Sequence, residues 1–98
     1  MNNNLTPFNA KVTKAGYKYI GHYKYGVLTL QFENFMITIN NKSNLKDLFD
    51  VFEINCEDGA YLEDLTGKYC VAIMDDQQIV RYLTHLTNPN IVYNIMNN

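Results

Sequence analysis

Thiols, histidines and long apolar runs are all scarce in this 98-residue chain, and each shortage closes off a class of function. Cys56 and Cys70 are the only cysteines. Two thiols in a globular chain without an export signal read as reduced, not as a disulfide framework. With His22 and His85 they would supply four zinc ligands in number only, because none of the four shows the close pair spacing of a zinc knuckle. No metal and no cofactor is therefore expected. There is no window of about 18 apolar residues, and the N-terminus lacks a basic segment followed by a hydrophobic run. Neither a membrane span nor a signal peptide is expected, and the default compartment is the cytoplasm. No glycine-rich loop of the kind that cradles phosphate is present, and no repeated βαβ unit, which excludes a Rossmann fold.

What is present is ordinary globular material. Hydrophobic residues make up 47% and charged residues 18%, away from the low-hydrophobicity, high-charge regime of disordered chains. The length suits one domain over residues 1–98, with an ordered core at about 8–96 between asparagine-rich ends. The net charge of −2 is unevenly placed. Residues 1–41 carry four lysines against Glu33, a balance of +3, and residues 42–98 carry three lysines and Arg81 against nine acids, a balance of −5. Non-specific nucleic-acid binders are usually basic because phosphate neutralisation dominates their affinity, so direct nucleic-acid binding is not expected.

Periodicity predicts the elements. A first strand falls at about Ala10–Lys14. Leu28, Leu30 and Phe32 alternate with Val27, Thr29, Gln31 and Glu33, and Phe35, Ile37 and Ile39 repeat the pattern after a short turn. Ser43 or Asn44 is placed to cap a helix in which Leu45, Leu48, Phe49 and Phe52 form a one-sided stripe. Ala60–Leu65 fits one helical turn, Lys68–Met74 a strand, Ile79–Leu86 its return, and Ile91–Met96 a last edge strand after Asn88-Pro89-Asn90. The fold class is α+β: a curved antiparallel sheet of about five to six strands with one amphipathic helix packed on one face. The expected core is Leu28, Leu30, Phe32, Leu48, Phe49, Phe52, Val71 and Ile73.

Two stretches carry candidate binding chemistry. Tyr17-Lys18-Tyr19-Ile20-Gly21-His22-Tyr23-Lys24-Tyr25 holds four of the eight tyrosines. On one continuous strand the tyrosines would share one side and Lys18, His22 and Lys24 the other; a tight turn at Gly21-His22 would make a short hairpin instead. Tyrosines on strands often just cover a core edge, but they are also enriched as interface anchors, and with lysines between them they suit single-stranded nucleic acid. The overall acidity favours a protein partner. The second stretch is the acids Glu57, Asp58, Glu63, Asp64, Asp75 and Asp76. Their ordinary role is a solvated surface; gathered at one end of the sheet, they would mimic phosphates and enter a basic groove of a nuclease complex.

Catalytic readings fail on inventory. Adjacent carboxylates such as Glu63-Asp64 and Asp75-Asp76 diverge on a helix or a strand, and Cys70 lies in an apolar strand, where a thiol is most often core filler. His22 and His85 remain as acid–base groups only in principle. No enzymatic activity is expected.

The stretch Tyr61-Leu62-Glu63-Asp64-Leu65-Thr66-Gly67-Lys68-Tyr69-Cys70-Val71, between a helix and a hairpin, resembles small proteins of phages and bacterial mobile elements in which a helix leads to an acidic-Leu-x-Gly-Lys turn and then two strands. Gly26-Val27-Leu28-Thr29-Leu30 extends the similarity, which covers about residues 10–86; Asn34-Phe35-Met36 departs from it where a glycine-rich segment belongs. The resemblance implies a setting of phage–bacterium conflict in the host cytoplasm. The expected function is a non-catalytic, anti-CRISPR-like inhibitor, monomer or homodimer, that binds a host effector through Tyr17, Lys18, Tyr19, His22, Tyr23, Lys24 and Tyr25 or through Glu63, Asp64, Asp75 and Asp76. The alternatives are a protein that sequesters a nucleotide signal and a phage structural or replication accessory.

Overall fold

The computed structural model of the protein describes residues 4–41, 45–55, 59 and 61–95. Among them, six strands form one sheet: β1 (Thr6–Ile20), β2 (Tyr23–Gln31), β3 (Met36–Asn41), β4 (Tyr69–Met74), β5 (Val80–Thr84) and β6 (Val92–Asn94), in the spatial order β3-β2-β1-β4-β5-β6. Every neighbouring pair is antiparallel. A short helix, α1 (Leu45–Val51), and a 3₁₀ turn (Leu62–Leu65) accompany it. The architecture is the expected α+β class, mostly β with minor helix. No helix among the described residues is long and apolar enough to cross a membrane.

The sheet is built around one long strand that changes partners. Thr6–Lys11 of β1 pair with β4, from Thr6↔Met74 to Lys11↔Tyr69, whereas Lys11–Ile20 pair with β2 on the other edge, from Lys11↔Gln31 to Ile20↔Tyr23. A register shift between Val12 and Lys14 marks the changeover. An extra residue on one strand bends it and increases its twist. The sequence reading ends the first strand at Lys14; the structure carries it on through the tyrosines, because β-branched and aromatic side chains favour strand on both sides of the shift.

One face of the sheet holds the core. Leu28 and Leu30 of β2, Ile39 of β3, Cys70, Ala72 and Met74 of β4 and Leu83 of β5 are buried there. They meet Leu48, Phe49, Val51 and Phe52 from the helical segment and Leu62 and Leu65 from the 3₁₀ turn. The helix covers the β5–β6 side and the 3₁₀ turn the β1 side. α1 is only seven residues long, too short to persist alone in water, so its packed face is what holds it. Phe52 lies just past it, in the turn closed by the Phe52 and Ile54 amides donating to the Phe49 carbonyl.

Val71 and Ile73 are corrected. Both are half-buried on the opposite face, and Cys70, Ala72 and Met74 point inward in their place. An unbroken apolar run carries no parity of its own. Here the parity is fixed by Ala10↔Cys70, which sets two small residues opposite each other in the core. The cap assigned to Ser43 or Asn44 lies outside the described residues, as do Cys56, Glu57, Asp58 and Ala60.

Candidate functional site

β1 outruns β4 after Lys11, and β2 outruns β3 before Gly26, which pairs with Asn41. From Tyr17 to Tyr25 the chain is therefore a two-stranded ribbon, a β-arm standing past the ends of its neighbours. Its turn is the two residues Gly21 and His22, with Gly21 at φ +61°. A positive φ at the first central position is the requirement of a type II′ turn, whose twist matches that of the flanking strands, and glycine meets it without steric cost.

The hairpin redistributes the tyrosines. Pairing runs Ile20↔Tyr23, Tyr19↔Lys24, Lys18↔Tyr25 and Tyr17↔Gly26. Directly opposed residues share a face, so Tyr17, Tyr19 and Lys24 lie on the core-side face and Lys18, Ile20, Tyr23 and Tyr25 on the other. The single-strand arrangement, with four tyrosines on one side and the cations on the other, is thus replaced by two mixed faces. On the first, Lys24 Nζ sits 3.9 Å from the centroid of the Tyr17 ring, a diagonal cation–π contact. On the second, Ile20 and Tyr23 form an apolar tip that sequence reasoning assigned only in part. Ile20 was readable as a tip residue from the spacing of the two-residue turn.

The arm is solvent-facing. Tyr19 is 69% exposed, Tyr23 68% and Ile20 52%. Tyr17 is less so, Tyr25 is half-buried, and Lys18, His22 and Lys24 are exposed. No acid falls between Leu5 and Phe32, so the charges this stretch itself carries, on Lys11, Lys14, Lys18 and Lys24, are all positive.

The acids do not form one patch. Glu63 and Asp64 belong to the 3₁₀ turn before β4, and Asp75 and Asp76 follow its end. A six-residue strand, about 20 Å long, lies between the pairs in the chain. Asp64 also caps its own turn, accepting the Tyr61 N–H at 3.0 Å. Asp75 is corrected more sharply, since its side chain is 3% exposed and wholly engaged within the chain. One carboxylate oxygen accepts the N–H groups of Gln77 at 2.9 Å and Ile79 at 3.0 Å, and the other takes Arg81 Nε at 2.9 Å. These bonds, that from the Ile79 amide foremost, hold its carboxyl below the usual range against the opposing effect of burial. Arg81 reaches it from the register shift where β4 meets β5. Re-aiming a side chain is a common role of such irregularities. Glu63, Asp64 and Asp76 are exposed acids.

A third place was not anticipated as a pair. A cleft of about 440 Å³ between the end of α1 and the start of β4 is lined by Glu53, Lys68, Tyr69, His85 and Thr87 among others. His85 Nε2 lies 2.7 Å from Glu53 Oε1. His85 Nδ1 accepts the amides of Thr87 and Asn88, both at 3.1 Å, so the proton of the neutral ring sits on Nε2 and is donated to Glu53. Both ring nitrogens are engaged within the chain, leaving no lone pair for a substrate. Glu53 itself is at φ +60°, a strained conformation for a side-chain-bearing residue. Cys70 is buried, and desolvation pushes its thiol up to about 12. It stays protonated and inert at neutral pH. Among the described residues, no group of three His, Cys, Asp or Glu side chains converges on a common point. No family model, curated protein or solved structure matches the chain.

Proposed function

We propose that this chain is a non-catalytic binding protein of phage origin that occupies and blocks a host defence effector in the bacterial cytoplasm, in the manner of an anti-CRISPR protein. The β-arm carries this reading. A monomeric domain gains nothing in stability from holding Tyr19, Ile20 and Tyr23 out in water, whereas tyrosines presented on a protruding ribbon bury large area on a partner at low side-chain entropic cost. Self-satisfied His85 and buried Cys70 support a role without chemistry. The setting is the one that the resemblance read at Tyr61–Val71 implies. Of the two candidate surfaces, the arm is favoured because the acids are divided between the ends of β4 and Asp75 is enclosed.

The test is a plaquing assay in cells with an active CRISPR nuclease. Wild-type protein restores plaquing of a targeted phage, and the folded Tyr17, Tyr19, Tyr23 and Tyr25 quadruple alanine variant does not. Failure of the wild type against a panel of nuclease types ends the reading. Saturable heat with cyclic or linear nucleotides in calorimetry would move it to signal sequestration.

A further inference from the structure

We propose that the outer edge of β1, from Ala15 to Tyr19, receives an acidic, extended segment of the protein partner as an added β-strand. This rests on the β-arm being the partner-binding surface. The register identifies the free groups. Val12 turns its N–H and C=O toward the β4 side, bonding Lys68 and Gly67 at 2.8 and 2.7 Å. At the other end, Ile20↔Tyr23 closes the two-residue turn as a hydrogen-bonded pair. Hydrogen-bonded and open pairs alternate along an antiparallel ladder, so Lys18, Gly16 and Lys14 bond to β2 while Ala15, Tyr17 and Tyr19 direct their N–H and C=O groups to the opposite edge. β4 has ended by then, and among the described residues no backbone group bonds to that edge.

An unpaired row of donors and acceptors at strand spacing is a template for another strand. A groove of about 220 Å³ runs beside this one, lined by Lys14, Ala15, Gly16, Tyr17, Lys18 and Val27. The space above Gly16 is open, with nothing within 4 Å of where a Cβ would be. Charge selects the occupant. Lys14 and Lys18 flank Gly16 on one face, Lys24 lies across the other, and no acid offsets them on the arm. An acidic strand places its carboxylates beside these lysines. A second copy would instead bring the two sets of lysines together, which is destabilising across a strand pair. Phosphate is disfavoured as well, because the edge presents carbonyl oxygens as often as amides.

The probe is a blocked acidic peptide of about ten residues alternating glutamate with valine, read by amide hydrogen exchange on the full chain. Exchange at Ala15, Tyr17 and Tyr19 slows by about tenfold or more when the peptide is present, and Lys14→Glu with Lys18→Glu removes the effect. Tyr17→Pro deletes an outward N–H without touching the β2 ladder and also removes it. No protection by the peptide overturns the proposal. So does protection that appears with protein concentration alone, which identifies a second copy, or protection by oligothymidylate but not the peptide. If Tyr17→Pro still blocks the nuclease while the quadruple alanine variant fails, the arm binds through side chains and strand addition is wrong. If the peptide docks on the edge and no nuclease is blocked, strand addition holds and the anti-CRISPR reading fails.

Discussion

The β-arm and the β4–β5 turn are both short hairpin connections crowded with polar and charged side chains, and they use them in opposite directions. At the turn, Asp75 draws two backbone amides and Arg81 inward, and the Gln78 backbone at φ +63° completes a closed loop. In the arm, Tyr19, Ile20 and Tyr23 face water, and the one aromatic–cation contact, Lys24 on Tyr17, lies along the ribbon without tying it to the body. A cluster of functional residue types is thus no guide to function until its hydrogen bonds are traced. The turn satisfies itself; the arm leaves both its aromatic faces and one backbone edge unsatisfied.

That contrast predicts which substitutions damage the fold and which damage binding. The largest effect belongs to the body: Phe49→Ala removes a 4%-exposed ring at the junction of helix and sheet and lowers stability by about 3–5 kcal/mol in denaturant unfolding. A loss under about 1 kcal/mol would show that this ring is not part of a continuous core. Next come Tyr19→Ala and Tyr23→Ala, each expected to weaken partner binding by about 2 kcal/mol with the unfolding midpoint nearly unchanged. A midpoint falling in step with affinity would make the arm a structural element and erase the comparison. Reversing the exposed acids Glu63, Asp64 and Asp76 to lysine leaves binding within a few-fold; abolished binding by that variant would transfer the interface to the acidic surface.

Much of this architecture was legible in the chain. The alternation at Leu28–Phe32, the helical stripe at Leu48–Phe52 and the breakers at Asp75-Asp76 and Asn88-Pro89 report local backbone geometry, which sequence period encodes directly. Cys70–Met74 was read on the wrong face because an apolar run has no internal parity and its orientation is set by pairing with β1, some 60 residues earlier in the chain. The same limit governs the arm. The tyrosine segment announced itself by composition, but its two faces follow from a single fact, that two residues rather than one or three make the turn. The division of the acids was implied by the strand expected at Lys68–Met74, which puts Glu63-Asp64 before one end and Asp75-Asp76 after the other. Asp75 differed from Asp76 by nothing local; a bulge in the return strand brings Arg81 to it.

The smallest predicted effect tests the turn itself. Asp75 is held below its ordinary value of 3.8 by the Ile79 amide first, then by Arg81 and the Gln77 amide. A carboxyl whose folded pKa is depressed stabilises the fold above the unfolded value and loses that contribution as pH falls through the folded one. The wild type should therefore lose stability as the pH drops below about 4, where Asp75 in the unfolded chain is already protonated and the folded carboxylate begins to follow. Asp75→Asn keeps the shape, lowers the midpoint at pH 7, and flattens this acid limb because the group that titrates is gone. Partner binding at pH 7 stays as it was, since the arm lies beyond the other end of β4. Thermal melts at neutral and acid pH separate the outcomes. An unchanged acid limb in Asp75→Asn would assign the titration to another carboxylate, and lost binding without lost stability would place Asp75 on the working surface rather than inside the turn.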